Sequence, residues 1–123
     1  MMNAIAVPVL ESKVEAWKAW VLECMGPRRE EFDRFNERMG LTLHRAWLMQ
    51  SLQGPLAVVV FDGPGAADFL QKMATSREPF DRWFRERVAE FHAIDFARPN
   101  ILTPAELFLD WQARRYAFAE IGG

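Results

Sequence analysis

The chain has 123 residues, half of them hydrophobic, which suits a single domain that builds its own core. Its 15 basic and 17 acidic residues leave a formal net charge of -2, which excludes a bulk attraction to nucleic acid or anionic lipid. One cysteine cannot form an internal disulfide, and the cysteine and the two histidines are not spaced along the sequence like the ligands of a metal site. We therefore expect a cytoplasmic protein without a metal or other cofactor. The apolar N-terminal run is too short to span a membrane, so no membrane partner is expected.

The first part of the chain predicts one strand and one broken helix. Residues 3–10, NAIAVPVL, are apolar and β-branched, as in a strand. Ser12 followed by Glu15 has the pattern of a capping box at the start of a helix over residues 13–25. A Gly-Pro pair then interrupts the helical period, which resumes and continues to Gly40.

The second part predicts a hairpin, another broken helix and a last strand. Residues 41–50 and 56–61 flank the short turn SLQGP as the strands of a hairpin. A helical stripe over residues 69–91, interrupted by a proline, precedes the strand AELFLDW at residues 105–111. This order predicts an α+β, ferredoxin-like βαββαβ fold, a four-stranded antiparallel sheet with two broken helices on one face.

The second face of this predicted sheet lacks a cover. The strand LAVVVF at residues 56–61 is apolar on both faces, whereas the two helices cover only one. An apolar face of four strands exceeds what soluble monomers leave exposed, and the tail at residues 112–123 is too short to hide it. We therefore predict that the domain, residues 1–111, forms a homodimer through its sheet faces, around an apolar cavity suited to a small ligand.

The stretches ESKVEAWKAW, HRAWLMQSLQGPLAVVVFDGP, SREPFDRWFRERVAEFHAIDF and PAELFLDW resemble small bacterial members of the dimeric α/β-barrel superfamily. The resemblance covers residues 3–111, with Glu78 and Ala93 at positions where such members carry His and Gly. It implies a homodimer whose two sheets form a barrel. The superfamily includes cofactor-free monooxygenases, haem-binding enzymes, lactone isomerases and members of uncharacterised function, so the resemblance implies no particular reaction.

Three residues on the second predicted strand are the first candidates for a site. Because side chains alternate along a strand, His44 faces opposite to Arg45 and Trp47, and only one set can line the dimer cavity. His44 would be a proton acceptor there, and so a candidate catalytic residue. Arg45 with Trp47 would bind a flat, anionic or aromatic ligand by charge and stacking. Alternatively, Trp47 belongs to the core and Arg45 pairs with an acid such as Asp110.

Three further residues carry reactive groups. Asp110 interrupts the apolar final strand, where it is either a catalytic general base or the partner of an arginine. Cys24 lies on the apolar stripe of the first helix and is interpreted as a buried hydrophobic residue. His92, in the last turn of the second helical region, is interpreted as a helix cap rather than a haem ligand.

Two functions fit these observations. The first is a homodimer that binds a small aromatic or anionic molecule, either as a binding protein or as a cofactor-independent, monooxygenase- or isomerase-like enzyme. The second is a structural dimerisation module without catalytic activity. A cavity of about 300 Å³ or more, lined by two unpaired polar groups, favours the first, whereas a cavity filled by side chains favours the second.

Overall fold

The computed structural model describes residues 2–98 and 102–113, which form an α+β fold of three strands and four helices. The strands are β1 (Asn3–Pro8), β2 (Leu43–Ser51) and β3 (Gly54–Asp62), and the helices are α1 (Val14–Met25), α2 (Arg29–Arg38), α3 (Phe69–Thr75) and α4 (Pro79–His92). Short 3-10 turns at Glu11–Lys13 and Ala66–Asp68 lead into α1 and α3. Ser12 lies inside the first of these turns and Lys13 caps α1, so the predicted capping box is wrong.

The sheet is antiparallel, with the strand order β1-β3-β2. His44 of β2 lies opposite Phe61 of β3, and Ile5 of β1 lies opposite Val59. Side chains alternate between the two faces of a strand, so these four residues share one face, which the helices cover. We call it the helix face. Phe61 is fully buried there.

The helix face is packed with aromatic rings. The ring of Phe35 in α2 stacks on Phe84 of α4 with centroids 4.6 Å apart. Phe61 of the sheet contacts Phe69 of α3 at 4.9 Å. Many of the aromatic residues in the sequence therefore fill the layer between the sheet and the helices, where each buries a large area.

The predicted four-stranded ferredoxin-like sheet is wrong, and so is the dimeric α/β barrel built on it. Residues 105–111 form neither a strand nor a helix, and the sheet within the described residues has three strands. The Ala105 amide donates a hydrogen bond to the Ala4 carbonyl at 2.6 Å, at the edge of β1. Beyond Ala105 no other backbone hydrogen bond joins the described part of this segment to β1. An apolar pattern predicts an extended chain, but it does not report whether a hydrogen-bonded ladder forms.

The second face of the sheet carries the side chains of the alternate strand positions, and we call it the open face. The open face is formed by Arg45, Trp47 and Met49 of β2, by Leu56, Val58 and Val60 of β3, and by Ala4, Ala6 and Pro8 of β1. Trp47 and Met49 are 52% and 49% exposed. Within residues 2–98 and 102–113, no helix covers this face.

A buried carboxylate joins the two helical regions. Asp81 at the start of α4 is fully buried, and it accepts hydrogen bonds from Nε of Arg38 at 3.3 Å and from the Ser76 hydroxyl at 2.6 Å. Nη2 of Arg38 donates to its other carboxylate oxygen. Arg85, one helical turn after Asp81, instead donates to the carbonyl oxygens of Met73 and Ser76. The break between α3 and α4 is therefore held by charged hydrogen bonds from both sides.

Candidate functional site

A cavity of about 400 Å³ lies between the helix face of the sheet and helices α1, α3 and α4. Its wall is mostly apolar and aromatic, with Ile5 and Val59 from the sheet, Trp17 and Trp20 from α1, and Phe84 and Val88 from α4. Ala46 of β2 lines the cavity and is exposed, so the cavity reaches the surface along this edge strand. A pocket of this size and character suits a small, largely apolar molecule.

His44 is the polar residue that the helix face of the sheet contributes to the wall. Its ring lies among three phenylalanines, with centroid distances of 5.6 Å to Phe32, 5.5 Å to Phe69 and 6.3 Å to Phe84. Burial in this apolar setting lowers the pKa of His44 to about 4, so the imidazole is neutral at physiological pH. Asn36 Oδ1 lies 2.9 Å from Nδ1 of His44. An amide oxygen only accepts, so Nδ1 carries the proton and Nε2 is left as an acceptor.

Trp20 also lines the cavity, and its indole N–H lacks a partner. Its ring packs against Phe84 at 4.8 Å and against Phe91 at 5.5 Å, and the residue is 8% exposed. The Nε1 atom of Trp20 is buried, yet no described residue accepts a hydrogen bond from it. A buried N–H group without a partner costs free energy, which a bound acceptor would recover.

Cys24 and His92 also line the cavity, and neither carries charge there. Burial raises the pKa of the Cys24 thiol to about 12, in agreement with its interpretation as a buried hydrophobic residue. Burial also lowers the pKa of His92, although its hydrogen bond to the Pro8 carbonyl opposes the shift. Because Nδ1 of His92 donates to that carbonyl at 2.8 Å, this residue links α4 to β1 rather than capping its own helix.

The structure separates the other residues that the sequence singled out. Arg45 and Trp47 border the cavity but alternate with His44 along β2, and both are exposed. Asp110 lies in the irregular segment after Ala105, is exposed, and accepts a hydrogen bond from the Gln112 side chain at 3.5 Å. It is not part of the described cavity wall. His44 and Asp110 therefore do not form one catalytic pair within the described chain.

The cavity also lies in a different place from the one expected. The sequence predicts a ligand cavity between two facing sheets, whereas the observed cavity lies within one chain, on the helix side of the sheet. Sequence reasoning missed Trp20 and Asn36 as site residues. Asn36 has a signal, since it follows Phe32 by four positions on an otherwise apolar helical stripe, where an amide needs a partner. Trp20 has no such signal in the sequence, because a tryptophan on the apolar side of a helix is normally interpreted as a core residue.

Comparison of the chain with protein-family models, with curated proteins and with solved structures gives no significant match. Membership of the dimeric α/β-barrel superfamily therefore stays a prediction. Within the described residues, no cluster of three His, Cys, Asp or Glu side chains is placed to hold a metal ion. None of the helices in this part of the chain has the length and apolar character needed to cross a membrane.

Proposed function

We propose that the protein binds a small, uncharged, planar molecule in the cavity between the sheet and the helices. The observation that carries this proposal is that two residues with unlike polar groups line one apolar cavity: Trp20, whose Nε1 donor has no partner among the described residues, and His44, whose Nε2 is an acceptor. A hydroxyl group on an aromatic ring satisfies both, because its oxygen accepts and its proton is donated. The flat rings around them favour a flat ligand.

The charges around the cavity favour an uncharged ligand over the anionic one that the sequence also allowed. His44 is neutral at physiological pH, and the Cys24 thiol is protonated. Arg45 borders the cavity, but it alternates with His44 along β2 and is exposed to solvent, so it is not a buried cation. A carboxylate in the cavity would lose its hydration without gaining a buried cation, which is strongly unfavourable.

The same pKa values favour binding over acid–base catalysis. A general base works best when its pKa lies near the working pH, and a pKa of about 4 makes His44 a weak base. Cys24, with a thiol pKa of about 12, is a poor nucleophile. The cavity is therefore suited to hold a molecule rather than to transfer a proton or an acyl group.

The proposal is tested with three probes of one shape. 2-Naphthol carries the hydroxyl, naphthalene lacks it, and 2-naphthoate replaces it with a negative charge. We expect 2-naphthol to bind to the native protein and to raise its Tm, with naphthalene weaker by about 3- to 10-fold in Kd for the missing hydrogen bonds. Absence of binding by all three probes, or tightest binding of 2-naphthoate, contradicts the proposal.

Two variants connect this binding to the named groups. His44→Phe and Trp20→Phe each remove one polar atom while keeping an aromatic ring in the wall. Each is expected to weaken 2-naphthol binding by about fivefold and to leave naphthalene binding nearly unchanged. Trp17→Phe is the matched control, since Trp17 is an equally buried indole of α1, 6% exposed. Equal losses in Trp17→Phe and Trp20→Phe would contradict the role of the Trp20 donor.

A further inference from the structure

A second cavity, of about 310 Å³, adjoins the cavity described above, and we call it the outer pocket. Three residues line both spaces and form the partition between them: Met25, Phe32 and His44. Asn36 lines the outer pocket but is not part of the described cavity wall. Its side chain therefore meets the His44 ring from outside the cavity, and any effect of Asn36 on a ligand must act through that ring.

The backbone of α2 fixes the position of Asn36. The residue lies in the last turn of α2, where the Leu41 amide donates to its carbonyl oxygen at 2.9 Å. The preceding residue, Phe35, is fully buried and stacks on Phe84 of α4 with centroids 4.6 Å apart. With its backbone anchored in this way, Asn36 presents Oδ1 to Nδ1 of His44 at 2.9 Å. The contact is therefore a built part of the partition.

The charged residues that line the two spaces do not set the state of the His44 ring. Arg29 and Asp33 of the outer pocket pair with each other at 2.9 Å, and Glu37 and Arg45 are exposed. Burial, and not a neighbouring charge, lowers the pKa of His44. The other titratable groups of the cavity wall are uncharged near neutral pH: Cys24 and His92. Asn36 is thus the polar group that acts directly on the ring.

The hydrogen bond from His44 to Asn36 limits which ligand groups the cavity accepts. With its proton on Nδ1, the neutral ring offers only the acceptor Nε2 to a ligand. A hydroxyl group can donate to this nitrogen. An ether or a ketone brings only acceptor atoms, and a carboxylate also brings a negative charge, so neither satisfies Nε2. The ligand must therefore carry a proton donor.

We infer that Asn36 determines the specificity of the cavity, because its hydrogen bond to His44 restricts the site to ligands that donate a proton and excludes acceptor-only and anionic ones. This inference rests on the proposed function. Asn36 is a positioning residue, since it contacts His44 and not the ligand. Asn36→Asp should reverse the selection. A carboxylate beside Nδ1 stabilises the imidazolium and raises the pKa of His44 by roughly one to three pH units, and Nε2 of the charged ring donates.

The tautomer is measured without any ligand or substitution at Asn36. In wild-type protein labelled with 15N at histidine, a 1H–15N correlation spectrum distinguishes the protonated ring nitrogen from the bare one. We expect the proton of His44 on Nδ1 at neutral pH, and the spectrum of His44→Phe separates the His44 signals from those of His92. A proton on Nε2 of His44 overturns the inference, whatever the cavity binds.

Binding of three probes at about pH 5.5 tests the selection. At this pH the wild-type ring, with its pKa of about 4, is still neutral. We expect the wild type to bind 2-naphthol more tightly than 2-methoxynaphthalene, which has lost the donor, by about 3- to 10-fold in Kd. In Asn36→Asp the ratio of the Kd of 2-naphthol to that of 2-naphthoate should rise at least about tenfold. A gain in 2-naphthoate binding cannot come from mere loss of structure.

Thr42→Asp is the matched control. Thr42 lines the outer pocket and is exposed, so an aspartate there adds the same charge, whereas the hydrogen bond to the His44 ring stays with Asn36. It is expected to keep the wild-type order of the probes. Unchanged selectivity in Asn36→Asp, or equal changes in both variants, overturns the inference. A wild type that binds none of the probes while His44 carries its proton on Nδ1 contradicts the proposed function and not the positioning of His44 by Asn36.

Discussion

The Nδ1 atom of His44 lies 2.9 Å from the Oδ1 atom of Asn36, and this contact fixes which nitrogen of the partly buried ring carries its proton. The bond joins β2 to α2, two elements that follow each other in the chain and meet across the cavity wall. It holds the ring in one tautomer and one orientation, with Nε2 as the acceptor. A neutral, oriented imidazole of this kind resists protonation, and that resistance has a measurable effect on stability.

Stability is expected to fall between pH 6.5 and pH 4 because of His44. Its pKa is about 4 in the folded chain and 6.5 in the ordinary state, so the unfolded chain takes up the proton first as the pH falls. Above pH 6.5 both states are neutral and His44 makes no contribution. Across the window the folded state loses about 3 kcal/mol relative to the unfolded state.

The measurement is urea denaturation across this pH range for the wild type and His44→Phe. The variant lacks this titration but keeps His92, whose lowered pKa acts in the same direction in both proteins. The difference in unfolding free energy between the two proteins should therefore change by about 3 kcal/mol from pH 6.5 to pH 4. A constant difference would mean that His44 titrates normally in the folded state.

The ion pair of Arg38 with Asp81 is expected to matter more than an exposed pair on the same helix. Asp81 is fully buried, so Arg38→Met leaves a buried carboxylate with the Ser76 hydroxyl as its remaining side-chain donor. We expect a loss of about 3 kcal/mol in unfolding free energy. Arg29→Met breaks the pair with Asp33, whose side chains are 55% and 53% exposed, and should cost about 0.5 kcal/mol. Equal losses in urea denaturation would contradict the role assigned to Asp81.

The strands and helices could be predicted because each has a local period. The three observed strands end within two residues of the predicted ends, and both helical regions are broken, at a Gly-Pro pair and at Pro79. The prediction of a fourth strand was wrong because an apolar pattern favours an extended chain but does not specify which strand it pairs with. Within the described residues, one backbone hydrogen bond, from the Ala105 amide to the Ala4 carbonyl, joins this segment to β1. Strand pairing depends on residues far away in the chain, and those are not visible in a single segment.

The site could be predicted in part. Alternation along β2 correctly divides His44 from Arg45 and Trp47, but it cannot say which face meets the helices. That choice is decided by the aromatic side chains of α2, α3 and α4 around His44. The link from Arg38 to Asp81 spans 43 positions and joins two separate helices. No periodicity within one element reveals such a pair.

Cys24 is expected to be unreactive in the native protein. It is 3% exposed and its thiol pKa is about 12, so at pH 8 only about one thiol in ten thousand is ionised. A disulfide reagent such as dithiobis(nitrobenzoate) should label it only as fast as the cavity wall opens. The matched control is a protein with Cys24→Ser and Leu22→Cys, because position 22 is 71% exposed on the same helix and should react at once. Equal labelling rates would show that the wall around Cys24 is open.

The start of β2, and with it His44, is held by a close crossing of two loops. The Gly65 amide donates to the Gly40 carbonyl at 2.8 Å, and the Thr42 amide donates to the Asp62 carbonyl at 2.8 Å. A Cβ atom at Gly65 would lie 1.9 Å from the Met39 carbonyl oxygen, so the two chains cannot keep this distance with any other residue. Gly65→Ala must push the loops apart.

We expect Gly65→Ala to lower the unfolding free energy by about 3 kcal/mol. It should also weaken 2-naphthol binding, because displacement of the loop shifts the start of β2 and moves His44 relative to the cavity. Gly54→Ala is the control at the other end of the same hairpin. Its φ of +111° strains an alanine, but no atom lies within 4 Å of the added Cβ, so a loss of about 1 kcal/mol without a change in binding is expected. Urea denaturation and the 2-naphthol titration measure both effects. A Gly65→Ala protein as stable as Gly54→Ala would mean that the loops separate freely, and His44 would then need another anchor.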